Sequence, residues 1–199
     1  SVLHDGAGLP EATVGTADLL TAAPDAGYGP WGRAELRRAV ADLLGGWGLP
    51  SSPDQIVITT GAQQALSLAA SCWVRPGDGV VLDDPTYPGA LSAFTAAGAA
   101  LVGLPVDRGG PRPEPLAVAL AAHPALAYLQ TGPHSPTGLV LTAARRQALA
   151  DRLVASRVPL VEDVALAGLA WTPGPPPLAS LVADHPSAVV GSLSKLLWG

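Results

Sequence analysis

Val80-Val81-Leu82-Asp83-Asp84-Pro85-Thr86-Tyr87-Pro88-Gly89 reads as a short apolar strand, a polar proline-bounded turn, and the start of a helix over about 89–97. An unbroken apolar run, rather than an alternating one, belongs to a strand buried on both faces, as in a parallel sheet. The same unit recurs outward on both sides. Upstream, Ile56-Val57-Ile58 reads as a strand and 61–74 as a helix rich in Ala and Leu. Before these, 33–44 has apolar residues at helical spacing and stops at Gly45-Gly46, and residues 1–30 form a Gly/Pro-rich arm. Downstream, strands at 101–104, 126–129 and 158–161 alternate with helices at 115–122 and 142–156, the second capped by Thr142. Ala188-Val189-Val190 is the last strand. Such alternation predicts an α/β fold with a mostly parallel sheet covered on both faces. Ligands in these folds bind beyond the carboxyl ends of the strands, so the residues just after each strand carry the interest.

The 199-residue chain is 48% hydrophobic and 14% charged, which describes a globular domain with a real core. Its net charge of -5 gives it no electrostatic reason to bind nucleic acid by itself. One cysteine, Cys72, excludes an internal disulfide and fits a reducing compartment; its apolar helical surroundings predict a small buried side chain. No stretch is apolar enough to span a membrane and no secretory signal opens the chain, so the expected location is cytoplasmic. The absence of Met and the uncapped ending Leu196-Leu197-Trp198-Gly199 suggest a piece of a longer protein.

At the strand ends, Thr59-Thr60-Gly61-Ala62-Gln63-Gln64 offers free amides and the positive end of a helix dipole, which suits a phosphate or carboxylate. Asp83-Asp84 could do acid–base work, although carboxylates beside a Pro-rich turn more often cap or solvate. Tyr87 could stack on a planar ligand. Gln130-Thr131-Gly132-Pro133-His134-Ser135-Pro136-Thr137-Gly138 makes a rigid hydrogen-bonding loop, in which His134 is a catalytic candidate or a bystander. Asp163, a carboxylate at a buried strand end, needs a partner and so points to a cationic ligand atom. Lys195 is the one lysine beside ten arginines, and lysine can form a Schiff base with a carbonyl. No His, Cys or carboxylate pair has metal-ligand spacing, and no Gly-x-Ser-x-Gly elbow occurs.

Taken in this order, the residues resemble the large domain of the fold-type I pyridoxal 5'-phosphate (PLP) enzymes, the class I/II aminotransferases. The resemblance rests on Tyr28-x-Pro30-x-Gly32, Thr60-Gly61-Ala62-Gln63-Gln64-Ala65-Leu66, Pro76-Gly77-Asp78, Asp84-Pro85-Thr86-Tyr87-Pro88-Gly89, Pro136-Thr137-Gly138, Glu162-Asp163 and Ser192-x-Ser194-Lys195. In wording, Gln63-Gln64-Ala65-Leu66, Asp107-Arg108-Gly109-Gly110 and the run from Ser192 to Gly199 resemble the aminotransferase-like domain of MocR-type regulators in the GntR group. It implies a three-layer α/β/α large domain over 31–199, truncated at its C-terminal side, behind an arm over 1–30. It implies that Lys195 holds PLP as a Schiff base and that Asp163 pairs with the pyridine nitrogen. Tyr87 would stack on the ring, and Gly61, Ala62, Gln63 and Ser192 would hold the phosphate. Ser135 would stand near the phenolic oxygen, and Tyr28 would reach the neighbouring subunit of a homodimer. An amino acid or amine would be substrate or effector, and DNA would be met through a helix-turn-helix outside this chain. The alternative is the large domain of a free-standing aminotransferase acting on an amino acid and a 2-oxo acid.

The sequence departs from the family in three places. Ser135 stands where Asn is usual before Pro-Thr-Gly, and Ala165 and Leu166 stand where a Tyr often follows the aspartate. The chain also ends four residues beyond Lys195. The expectation is therefore that the family's phosphate-binding arginine, the next antiparallel strand and the small domain lie elsewhere, and that this stretch alone does not transaminate.

Overall fold

The computed structural model describes residues 15–18, 28–169, 174–182 and 184–197. Among these, six strands form one sheet: β1 (Gly79–Asp84), β2 (Ala100–Asp107), β3 (Gly110–Pro111), β4 (Leu126–Gln130), β5 (Leu160–Asp163) and β6 (Ser187–Val190). Their order is β3-β2-β1-β4-β5-β6, with every pair parallel except β2 and the two-residue β3. From β1 the chain first goes outward to β2 and then crosses back to β4 on the other side. That reversal opens a crevice at the carboxyl ends of β1 and β4, where α/β sheets hold ligands.

The helices are α1 (Ala34–Gly46), α2 (Ala62–Trp73), α3 (Pro88–Ala96), α4 (Pro113–Leu120), α5 (Ala143–Ser156) and the single turn α6 (Ser194–Leu197). Successive strand residues alternate between two cores. Val80, Leu82, Leu126, Tyr128 and Val161 pack on α2 and α3, while Val81, Ala127, Leu129 and Leu160 pack on α4 and α5. Burying a side chain of this size stabilises the fold by about 1.5–3 kcal/mol, which makes these two layers the main favourable term. The result is the expected three-layer α/β/α arrangement. Thr142 caps α5 as its sequence predicts, its hydroxyl accepting from the Arg145 amide at 3.2 Å. No helix of the described residues is long and apolar enough to cross a membrane.

Four expectations need correction. Ile56-Val57-Ile58 is extended but joins no strand; the Ile58 amide donates to the Trp31 carbonyl at 3.0 Å. A strand exists through pairing, and a cavity of about 400 Å³ separates this segment from β6. Cys72 is exposed, because the buried stripe of α2 runs through Leu66, Ala69 and Ala70 and leaves position 72 outside it. Asp83 does not solvate the turn: it is fully buried, and only Asp84 faces water. The strand read at 158–161 runs instead from Leu160 to Asp163, since pairing with β4 sets Gln130 beside Asp163 and carries both carboxylates into the sheet. The arm read at 1–30 lies outside the described residues except for 15–18 and 28–30.

Candidate functional site

The site residues gather at the carboxyl edge of the sheet in two groups. The first is the turn into α2. Gly61 has φ 137°, a conformation that L side chains rarely adopt, and the space where its Cβ would stand is open. The turn is pinned from behind: the Thr59 hydroxyl donates to the Gly61 carbonyl at 3.0 Å, and the Thr60 amide donates to Gln64 Oε1 at 2.7 Å. The Ala62, Gln63 and Gln64 amides belong to the first helical turn and have no acceptor within the helix. Gly61 shares the 400 Å³ cavity with Gly191, Ser192 and Ser194, so two segments more than a hundred residues apart in sequence line one space. The Ser192 and Ser194 hydroxyls are 2.8 Å apart there.

The Gln63 side chain turns away from that cavity and donates to the Gly89 carbonyl at 3.0 Å, tying α2 to the start of α3. A Cβ on Gly89 would overlap both Gln63 and the Tyr87 ring, so this glycine is what lets the half-buried ring lie against α2.

The second group surrounds the ends of β4 and β5. Asp163 faces the α2–α3 side: its Oδ2 accepts from the Tyr128 hydroxyl at 2.6 Å and its Oδ1 from the Ala165 amide at 2.8 Å. Burial pushes its carboxyl above the usual range, and the Tyr128 hydrogen bond works against that shift. The Tyr128 phenol is itself pushed up, first by burial and then by the Asp163 charge, so it stays a donor. Gln130 sits beside Asp163 in the sheet, and its carboxamide does the work of a strand for the next loop. Its Oε1 accepts from the Ser135 amide at 3.0 Å, while Nε2 donates to the Ser135 carbonyl at 2.9 Å and to the Thr86 hydroxyl at 3.1 Å. One buried side chain thus joins the loop carrying Ser135 to the turn carrying Tyr87. The Gln130 amide donates to Asp83 Oδ2 at 2.8 Å, and His134 Nε2 lies 3.5 Å from the same oxygen. At that distance the imidazole nitrogen has no hydrogen-bond partner among the described residues, and neither has Asp83 Oδ1. Burial raises the Asp83 carboxyl, and the His134 and Gln130 contacts oppose the rise.

Glu162, next to Asp163, faces the α4–α5 side. Its oxygens accept from the Leu178 amide at 2.6 Å, the Ala179 amide at 2.7 Å and the Thr131 hydroxyl, with Arg146 Nη1 at 3.8 Å. Arg146 in turn donates to the carbonyls of Pro176, at 3.0 Å, and Thr131. This carboxylate ties Thr131 and the 177–179 backbone together, with three donors on it and a counter-charge already beside it within the chain.

Two predicted residues are exposed to solvent. Lys195 is exposed on α6 with no ion-pair partner among the described residues, and Tyr28 is 92% exposed. Sequence reasoning missed Tyr128, Gln130 and Arg146. Tyr128 read as core within an apolar strand. A polar residue ending such a strand was the available signal for Gln130, and nothing in the sequence marks Arg146 apart from its neighbour Arg145.

The model of the family "Aminotransferase class I and II" matches residues 4–197. The chain belongs to this family. The aminotransferase-like chain is 34% identical over 172 residues to the uncharacterized HTH-type transcriptional regulator YdfD of Bacillus subtilis, covering 84% of this chain and 35% of that protein. It is 32% identical over 185 residues to the 2-aminoadipate transaminase of Thermus thermophilus, covering 89% of this chain and 44% of that enzyme. Among solved structures it superposes on LysN, an alpha-aminoadipate aminotransferase from Thermus thermophilus, with TM-score 0.78 and 29% identity, covering 90% of this chain and 48% of that one. The aminotransferase-like chain therefore spans between a third and half of the length of these relatives. LysN was solved with N-(5'-phosphopyridoxyl)-L-leucine, and the family cofactor is pyridoxal phosphate. The residues present fit that group: open space at Gly61 before free amides suits a phosphate, and a buried carboxylate with unused lone pairs suits a protonated ring nitrogen.

Proposed function

We propose that residues 31–199 form the PLP-binding large domain of a MocR/GntR-type transcription regulator, in which they sense an amino acid or amine effector and carry the dimer contacts. The observation that supports cofactor binding is the pairing, at one sheet edge, of an uncapped α2 N-terminus with the buried, partly satisfied Asp163. The regulator reading draws on the likeness to helix-turn-helix proteins. DNA would be met by a segment outside these residues, since the chain is acidic. The likeness to the Thermus transaminase supports a second reading, the large domain of a free-standing aminotransferase. Either protein would work in the cytoplasm as a homodimer, with Tyr28 of the arm reaching the neighbour's phosphate.

In this reading the amides of Ala62 and Gln63, after Gly61, hold the phosphate together with the Ser192 hydroxyl. Tyr87 would stack on the ring, and Ser135 would lie toward its phenolic oxygen. When bound, PLP supplies an electron sink for negative charge at the substrate α-carbon. Asp163 would face the ring nitrogen and keep it protonated. The Lys195 amine would hold the cofactor's aldehyde and would be the group that moves a proton at that carbon.

The test is reduction of the PLP-loaded full-length protein with borohydride, followed by peptide mapping. The label is expected on the peptide containing Lys195 and is expected to vanish in Lys195→Ala; a label elsewhere, or none with PLP in excess, overturns the assignment. Multiple turnover with an amino acid and a 2-oxo acid, without effector-dependent DNA binding, would decide for the enzyme.

A further inference from the structure

We propose that Tyr128 is a positioning residue for the cofactor's ring nitrogen: its buried hydroxyl fixes the Asp163 carboxylate and so sets how firmly Asp163 holds the protonated pyridine. The inference rests on the reading of Asp163 given above and adds a residue that acts through it. Tyr128 is fully buried, and its hydroxyl lies 2.6 Å from Asp163 Oδ2. The register explains why. Gln130 pairs with Asp163 across β4 and β5, so Tyr128 is its diagonal neighbour two residues back on the same face, within reach of a long side chain. The phenol ring cannot swing away, because Phe94 of α3 packs edge-on against it at 5.7 Å between centroids.

Two donors therefore hold the carboxylate, the Ala165 amide on Oδ1 and the Tyr128 hydroxyl on Oδ2. A carboxylate has about four lone-pair sites, so the remaining ones are free to accept from a cation. Without the phenol, burial raises the Asp163 carboxyl with less to oppose it, since the Tyr128 hydrogen bond is the larger of the two lowering contributions. A carboxyl that takes up its own proton no longer attracts a pyridinium. The neutral phenol suits this task better than a cationic donor would, because it organises the carboxylate without cancelling its charge.

Tyr128→Phe keeps the ring and its packing and removes the hydroxyl alone. The measurement is the dissociation constant of the full-length protein for two probes, PLP and its 1-deaza analogue, which keeps aldehyde and phosphate but has carbon in place of the ring nitrogen. Tyr128→Phe is expected to weaken PLP by about tenfold, the size of a hydrogen bond to a charged group, and to change the deaza analogue by less than about twofold. Asp163→Ala is run beside it and should show the same selectivity with a larger loss. Equal weakening of both probes by Tyr128→Phe would mean that the tyrosine only shapes the pocket, and no weakening of either would mean that the hydroxyl is idle; both results overturn the proposal. If Asp163→Ala discriminates between the probes and Tyr128→Phe does not, the role of Tyr128 alone fails. If Asp163→Ala does not discriminate, the assignment of Asp163 fails and takes this inference with it.

Discussion

The two faces of β5 end in neighbouring carboxylates that have been put to different uses. On the α4–α5 face Glu162 accepts the Leu178 and Ala179 amides, at the start of a 3-10 helix, and a hydroxyl, and stands beside a buried arginine. On the α2–α3 face Asp163 has a phenol and one amide, with no cation beside it among the described residues. Burial raises both carboxyls, so neither is cheap to keep charged. The difference shows how a fold separates structural from ligand-binding charge. The carboxylate that holds loops has its counter-charge within the chain, and the one left short of a counter-charge is the one that can receive it from a ligand.

The sharpest way to break this contrast is to remove each carboxylate in turn. Glu162→Ala leaves Arg146 buried without its counter-charge and releases the Leu178 and Ala179 amides, and should destabilise the fold by about 3–5 kcal/mol in urea unfolding. Asp163→Ala leaves the buried Tyr128 hydroxyl without its acceptor and should cost about 1–3 kcal/mol, less than Glu162→Ala, while weakening PLP binding by roughly a hundredfold, read by absorbance titration. Equal losses of stability in the two variants would show that the two faces do not differ in kind.

A smaller effect is expected from the loop clamp. Gln130→Leu keeps the volume but leaves the half-buried amide and carbonyl of Ser135 without their partner, a cost of roughly 1 kcal/mol. Limited proteolysis should then cut within 131–138 faster than in the parent, and an unchanged cleavage rate would mean that the loop holds its shape without Gln130.

The smallest effect concerns pH. Asp83 is raised above its ordinary value of 3.8 by burial, so the folded chain holds that proton more tightly than the unfolded one. Its contribution is favourable at and below that value and is lost as pH rises through the folded value. Asp83→Asn, which keeps an oxygen for the Gln130 amide, should flatten the dependence of unfolding free energy on pH above about 4, by on the order of 1 kcal/mol. A pH profile that parallels the parent would show that Asp83 is ionised over that whole range.

The sequence by itself determined the alternation of strands and helices and the edge on which to look. These follow from local rules: apolar runs make buried strands, and a Ser/Thr cap starts a helix; only the strand's extension to Asp163 sends Glu162 and Asp163 to opposite sides. Tertiary structure decided the partners. Tyr128 meets Asp163 across 35 positions, Gln130 meets Thr86 across 44, and Arg146 reaches Pro176 across 30. It also decided that Ile56-Val57-Ile58, for all its β-branched residues, stays out of the sheet, and that Cys72 faces water. Propensity and period act within a few residues of chain. A buried donor is matched to its acceptor by strand register and helix packing, which bring together residues that the sequence keeps far apart.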